Sequence, residues 1–535
     1  MNISETAPAG KTSILGATAA SLTALVAWFL CAAALLALST FLPPLRSMLV
    51  LALVFIAAGV LSFLFCRWAP VRETLEAIKG GGAGAEKKSG PGRLFGALAV
   101  LAAAALLVVL GARGVWHGRL ESFKQDLKEK GLPLSLAEFQ EDLPDGQYAY
   151  PELSTAIEKD FSPEFYNKAF HTGDSIGKWT PEIFKKEAPY AAHYAPYLDK
   201  KLAPLLARKY TRYLKVDYAA AAKEPSSMPA PPLANMLSIA RAAKLYAVSR
   251  AYQGDAGKAW ALVRLQFSLA DLLADEKVIY SKIIALGLRR LAVETALDIM
   301  LNRPAATLPA DLTASVKGVL GGVLIRDALK SELAYQFDEY AFLSRLNGRR
   351  FVSGGGLFTA VAPDSGRRGG GLGMWLEYEA FSVMRMLGLL DINLLATARY
   401  FAELTGESPW AIMFTEGRMI GDEIQKLPSW PYLLVKAALP EFSRMYEREW
   451  ELKAWAQLAL ACSELNRFRA ERGRYPKDIS ELSPKTYSAG LLRDIFSGGK
   501  LPYTLSKDGK SFELCSTGAY GKKQDAFGRS FCIKQ

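Results

Sequence analysis

Histidine is almost missing from this chain: His117, His171 and His193 are the only three in 535 residues. They are far apart and share no metal-ligand spacing, which excludes a multi-histidine metal centre. Five cysteines in so long a chain exclude a disulfide-dense small scaffold. No His-Glu-x-x-His helix is present, and the run Gly80-Gly81-Gly82-Ala83-Gly84 lacks the Gly-Lys-Ser/Thr ending of a phosphate loop. Nothing in the chain calls for a cofactor. With 65 basic and 53 acidic residues the net charge is +12, but no dense Lys/Arg stripe appears, so nucleic acid is not an expected partner. Half of the residues are hydrophobic and 22% are charged, which excludes a disordered chain.

Long uncharged runs are what the N-terminus has in excess. Lys11 and Arg46 bracket a stretch without a single charge; Arg67 closes a second such run and Arg93 and Arg113 flank a third. A membrane-crossing helix needs about 20 apolar residues, so the runs predict three transmembrane helices at 21–42, 47–66 and 94–112. The link 67–93 is the basic one, with six Lys/Arg against three Glu, and loop charge asymmetry places it in the cytoplasm. The reading is then a multi-pass anchor over 1–112 in the inner, cytoplasmic membrane. It exports residues 113–535, which hold 57 basic and 49 acidic residues.

Residues 113–446 read as an all-helical domain, a bundle or short solenoid of helical hairpins. Met236, Ile239, Ala243, Tyr246 and Ala247 share one helix face within 235–253, and Gly254-Asp255 breaks the helix, with Asp255 an N-cap for the next. Leu262, Leu265, Leu269 and Leu272 continue the pattern. This hairpin resembles a tetratricopeptide unit, without a second copy at that period. Further helices are predicted over 197–214, 278–301, 324–346 and 376–404. A glycine-rich loop interrupts the pattern at 353–373. Between Tyr148 and Tyr218 aromatics are markedly denser than the 11% of the whole chain, which fits either a core or a groove for glycan or peptide.

Residues 447–535 change character. Leu452, Trp455, Ala459, Cys462, Leu465 and Phe468 form a helical stripe that Gly473 ends, Asp478-Ile-Ser-Glu481 has capping-box spacing, and Asp508-Gly509 sits between alternating runs as in a hairpin. A last strand, Ser530–Ile533, completes a small α+β module. The text Leu465-Asn-Arg-Phe-Arg-Ala-Glu-Arg-Gly-Arg-Tyr-Pro476, Ile479-Ser-Glu-Leu482, Asp494-Ile-Phe-Ser-Gly498, Pro502-Tyr503 and Phe512-Glu-Leu-Cys-Ser-Thr-Gly518 resembles the C-terminal part of type II secretion major pseudopilins and their pilin relatives. The likeness is confined to this C-terminal module. The rest is similar to uncharacterised bacterial membrane-anchored helical envelope proteins. The chain departs from the pseudopilins in lacking their N-terminal processing motif. It also lacks their acidic calcium loop: Ala519–Gly528 keeps only Asp525 as a carboxylate, and a calcium site wants six to eight oxygens. No metal is therefore expected. Cys515 and Cys532, both in predicted strands, are expected to form a disulfide in an oxidising compartment.

Catalytic candidates are few. Glu332 and Glu339 lie two turns apart on one helix face, about 10 Å along the axis, beside Tyr335 and Tyr340. The leading expectation is a non-enzymatic, membrane-anchored scaffold of the bacterial envelope. Its partners would be envelope proteins, with pilin-like or secretion components among the candidates. The alternative is a hydrolase of the envelope acting on glycan or peptide through carboxylates of the helical domain, Glu332 and Glu339.

Overall fold

Local signals set where the helices begin. Asp255 accepts the Lys258 backbone N–H at 3.0 Å, just after Gly254, which takes φ +99° to turn the chain. Thr180 caps the helix that Pro181 opens, its hydroxyl accepting from the Ile183 N–H. The computed structural model describes residues 91–161, 177, 179–208, 210–229, 231–322, 324–345, 384–385, 387–405, 426–428, 432, 435–436, 442–482, 491–518 and 531–535. Apart from single helical turns, these carry α1 (Pro91–Glu129), α2 (Pro181–Tyr197), α3 (Leu233–Tyr252), α4 (Ala256–Ala274), α5 (Ile279–Asn302), α6 (Ala310–Gly321), α7 (Leu324–Arg345), α8 (Leu389–Thr405) and α9 (Phe442–Arg472). Three short strands follow: β1 (Tyr503–Leu505), β2 (Phe512–Cys515) and β3 (Cys532–Lys534), antiparallel in the order β1-β2-β3. The chain divides into two compact units, 1–122 with 341–392, and 123–340 with 393–535.

The mainly α character stands, but the membrane reading is corrected. Among the described residues no helix is long and apolar enough to cross a membrane. The expected third span, 94–112, does not end at Ala112. It belongs to α1, which continues unbroken for 39 residues through Arg113, Arg119, Lys124, Asp126 and Lys128 to Glu129. The expected spans 21–42 and 47–66 lie outside the described residues, as does the glycine-rich loop 353–373. The multi-pass membrane location, the export of residues 113–535, the membrane-anchored scaffold and the envelope, pilin-like or secretion partners inferred from that topology are withdrawn with it.

In the first unit, two of the described contacts fall past the midpoint of α1, at Arg113 and His117. His117 Nδ1 lies 3.4 Å from Asp391 Oδ2, and Arg385 Nη1 donates to the Ser344 carbonyl at 2.8 Å. Gly388 adopts φ +71°, and a Cβ there would lie 3.1 Å from the Arg113 side chain, so glycine is needed on both counts.

The second unit is built around α3, α4, α5 and α9. Small residues let α3 and α5 approach closely: Ala240, Ala243, Ala247 and Ala251 are fully buried, and a Cβ on Gly287 would meet Leu237 at 3.1 Å. The face read from Met236, Ile239, Ala243, Tyr246 and Ala247 is buried, as are Leu262, Leu265, Leu269 and Leu272 of α4. The stripe read along α9 covers only part of what that helix buries. Residues 451–466 are buried without interruption, so α9 is a central rod rather than a surface helix. Its polar side chains serve other segments' backbones. Ser463 Oγ accepts the Leu308 N–H at 2.9 Å, Asn466 Nδ2 donates to the Ala306 carbonyl at 3.0 Å, and Glu449 Oε1 accepts the Leu324 N–H at 2.8 Å.

The helix predicted over 197–214 is not one helix. Helical structure ends at Leu206, and the chain then runs irregularly past Arg212, whose carbonyl accepts the Ala149 N–H at 2.8 Å, and Tyr213, whose N–H donates to the Leu272 carbonyl. Partners distant in sequence outcompete the local helical pattern there.

Asp494 organises the loops around the small sheet. Its carboxylate accepts the Phe496, Ser497 and Thr517 N–H groups at 2.8–2.9 Å and the Thr517 hydroxyl at 2.8 Å. Burial pushes its carboxyl up. The Ser516 hydroxyl, the Ser497 and Thr517 amides and the Thr517 hydroxyl outweigh that and hold it below the ordinary 3.8. Asp494→Ala strips these donors of their acceptor and is expected to cost about 2–3 kcal/mol, read from the urea midpoint at pH 7. The difference from wild type should shrink as pH falls below about 4, because a carboxylate with a lowered folded pKa loses its contribution as it protonates.

Candidate functional site

Tyr148 and Tyr150 stand on an extended segment stitched to a second one. The Tyr150 N–H donates to the Tyr213 carbonyl at 2.8 Å, and the Leu214 N–H donates to Glu276 Oε1 at 2.7 Å. Glu276 is itself buried and bonded by the Ser281 hydroxyl, and burial lifts its carboxyl to about 7 against these hydrogen bonds. The turn bearing Glu158 is tied to α3 through Asn235 Nδ2, which donates to the Ile157 carbonyl at 2.9 Å.

These segments enclose a cleft of about 740 Å³ lined by Asp145, Tyr148, Tyr150, Pro151, Glu158, Leu214, Lys215, Pro229 and Pro232. Its walls are rings and its polar groups are side-chain ends. Tyr150 is 41% exposed and meets Tyr213 edge-on, with ring centroids 5.7 Å apart. Lys215 Nζ lies 2.5 Å from Asp145 Oδ1 and 6.0 Å from the centre of the Tyr148 ring. The Lys215 hydrogen bond and charge hold the Asp145 carboxyl below its ordinary range, and Asp145 in turn raises Lys215. That pair is neutral overall and Glu158 adds a negative charge, so the cleft carries one negative charge when all three are ionised. Behind it, the Tyr213 hydroxyl is buried without a hydrogen-bond partner among the described residues. Burial raises its pKa, and the nearby Glu158 carboxylate raises it further.

Glu332 and Glu339 do not line this cleft. The structure buries Glu332 to 8% exposure, with Gln336 Nε2 donating to its Oε1 at 2.8 Å. Burial lifts Glu332 to about 7; the Gln336 hydrogen bond opposes the shift and the Glu339 charge adds to it. Glu339 is also raised by burial against a hydrogen bond from Tyr335, and its Oε2 is buried without a hydrogen-bond partner among the described residues. The two carboxylates thus couple on α7, Glu332 buried and Glu339 half-buried. Of the histidines, His193 is exposed beside the Tyr194 ring, and His171 lies outside the described residues.

In the small sheet Cys515 and Cys532 are joined by a disulfide, and Cys462 is a buried free thiol that burial pushes up to about 12. The loop Ala519–Gly528 lies outside the described residues. Against the expectation of no Gly-x-Ser-x-Gly elbow, the chain carries one such spacing, Gly173-Asp174-Ser175-Ile176-Gly177. Such an elbow needs a strand before it and a helix after it. Here α2 follows, no strand precedes it among the described residues, and Ser175 lies outside them. Gly177 donates its N–H to the buried Asp298 at 2.8 Å.

Sequence reasoning missed Asp145, Glu158 and Lys215 because ordinary surface charges carry no local signal. The aromatic enrichment from Tyr148 onward was the available pointer. The chain matches no family model, no curated protein and no solved structure.

Proposed function

We propose that this protein binds a neutral or amino-sugar oligosaccharide in the tyrosine–proline cleft. The observation that carries the reading is the lining itself: exposed tyrosine surface beside Asp145, Glu158 and Lys215 in one open cleft. Tyrosine offers an apolar face and a polar tip, which suits a sugar ring with its apolar faces and hydroxyl rim. A peptide backbone would need N–H and C=O partners, and Pro151, Pro229 and Pro232 offer no N–H at all. The residual negative charge disfavours an acidic sugar.

The two carboxylates support a second reading, hydrolysis of the bound glycan, with Asp145 kept ionised by Lys215. This moves the hydrolase alternative from Glu332 and Glu339 to residues that a substrate can reach. Neutral, N-acetylated and uronic oligosaccharides titrated against the full chain test both. Tyr150→Ala should weaken binding by about 10-fold, roughly 1.4 kcal/mol. If no saccharide binds the wild-type chain, the proposal is wrong. New reducing ends produced by wild type and not by Glu158→Gln would establish the second reading; binding without cleavage would dismiss it.

We also propose kinship of residues 447–535 with the pseudopilin C-terminal module. A long helix, a capped turn and an antiparallel hairpin in that order support it.

A further inference from the structure

The sheet places four functional side chains on one face. β2 and β3 pair so that Cys515 stands opposite Cys532 and Glu513 opposite Lys534. Strand residues two apart share a face, so Glu513 and Cys515 lie together on β2 with Cys532 and Lys534 beside them. One carboxylate oxygen of Glu513 and the two sulfurs all lie within 4.8 Å of one another. Lys534 Nζ sits 2.9 Å from Glu513 Oε1, and both side chains reach solvent, at 72% and 39% exposure.

We propose that Cys515, Cys532 and Glu513 form a redox-gated site for a thiophilic divalent cation such as zinc, closed when the sulfurs are bonded and open when they are reduced. The co-reactant is a dithiol. It transfers two electrons to the Cys515–Cys532 bond, which breaks, and becomes a disulfide itself while the two protein sulfurs take its two protons. Metal binding then releases those protons to solvent, leaving two thiolates as ligands. A tetrahedral zinc with Zn–S near 2.3 Å and Zn–O near 2.1 Å holds its ligand atoms roughly 3.6–3.8 Å apart. Opening a single S–S bond lets atoms already within 4.8 Å adopt that spacing without moving the strands apart. Water takes the fourth position, as in sites with three protein ligands.

Charge fits the same picture. Two thiolates and a carboxylate bring −3 to a +2 ion, leaving −1, and the Lys534 ammonium stands beside the site to balance it. The ion pair seen between Glu513 and Lys534 belongs to the closed state; in the open state the carboxylate turns to the metal and the lysine remains as counter-charge.

Cobalt(II) reports the site directly, because thiolate ligands give it an intense charge-transfer band. The full-length chain is reduced with a dithiol, desalted without oxygen and titrated with Co²⁺, then back-titrated with Zn²⁺, alongside the untreated disulfide form. The expected result is one equivalent bound with thiolate charge transfer in the reduced chain and none in the oxidised chain. The doubly substituted Cys515→Ser/Cys532→Ser chain keeps Cys31, Cys66 and Cys462 and should lose the band. Glu513→Gln should keep the band with affinity weakened by about 10-fold or more. Equal metal binding by the reduced and oxidised wild type would overturn the proposal without reference to any variant. An unchanged band in the double-serine chain would overturn it as well, by assigning the metal to the other cysteines.

Discussion

Lys244→Met is expected to lower the unfolding free energy by about 3–5 kcal/mol, the usual cost of leaving buried charge uncompensated. Lys244 lies on α3 with its ammonium 3.2 Å from Asp298 and 3.4 Å from Glu294, and all three side chains are at most 6% exposed. Arg290 reaches Glu294 at 2.9 Å and Glu451 at 3.5 Å, which joins α5 to α9 through the same cluster. Burial pulls the Lys244 ammonium down, but Asp298 and then Glu294 outweigh it and hold it above its ordinary value. Burial raises Asp298 to about 6 even with that lysine and the Gly177 N–H beside it. The sign for Asp298 follows: the folded state holds a proton that the unfolded state has released, so stability falls as pH rises from about 4 to 6. Without Lys244 the carboxyl rises further and the window extends upward in pH. Guanidinium denaturation from pH 4 to 8 measures this, and a flat difference between variant and wild type would count against it. Neutralising Asp298 together with Lys244 should recover part of the loss, since Glu294 then keeps Arg290 as its partner.

Glu332→Gln should have the opposite effect, a gain of about 1–3 kcal/mol at pH 8. Burial holds the carboxyl near 7 against an ordinary 4.5, so wild type bears the cost of an ionised, buried group above neutrality. Stability of the wild type falls as pH rises from about 4.5 to 7, and the variant, carrying no such group, is spared that loss. At pH 4 the two should coincide. The substitution also separates a structural role from a catalytic one. Faster unfolding or equal stability at pH 8 would mean that the negative charge is held by something useful to the fold, whereas a stabilised chain with unchanged cleavage of any glycan substrate removes Glu332 from the chemistry.

What was legible in the sequence was the part governed by neighbours. The α3–α4 hairpin follows from two apolar faces with a glycine and an aspartate between them, and the α5 boundaries follow from a similar pattern. The capping box at Asp478 and Glu481 was readable for the same reason. Pro189 and Pro196 hid α2, although Thr180 and Pro181 marked its start. The Tyr210–Leu214 segment looked helical because its determinants, the carbonyl of Leu272 and the carboxylate of Glu276, lie far along the chain. The spacing of Glu332 and Glu339 gave their shared face, but spacing alone does not say whether a face looks inward or outward. The cleft failed for a related reason. Tyr148 and Tyr213 are core residues and Tyr150 is not, though all three stand in the same aromatic-rich stretch. The length of uncharged runs likewise led to membrane helices at the N-terminus, where the third run passes directly into the charged half of α1.

The central position of α9 constrains how the protein is made. Until residues 442–535 have left the ribosome, Leu308, Ala306 and Met300 lack the side chains that satisfy their backbone groups, Gln535 among them as a donor to the Met300 carbonyl. At about 5–20 residues per second, those residues take roughly 5–20 s to synthesise. For that interval the nascent chain carries α5 and α6 with their apolar sides uncovered, and it depends on holding chaperones more heavily than a chain whose core closes from its N-terminal half. A premature stop before Glu447 therefore yields a sticky fragment bound for proteolysis, instead of a shorter working protein.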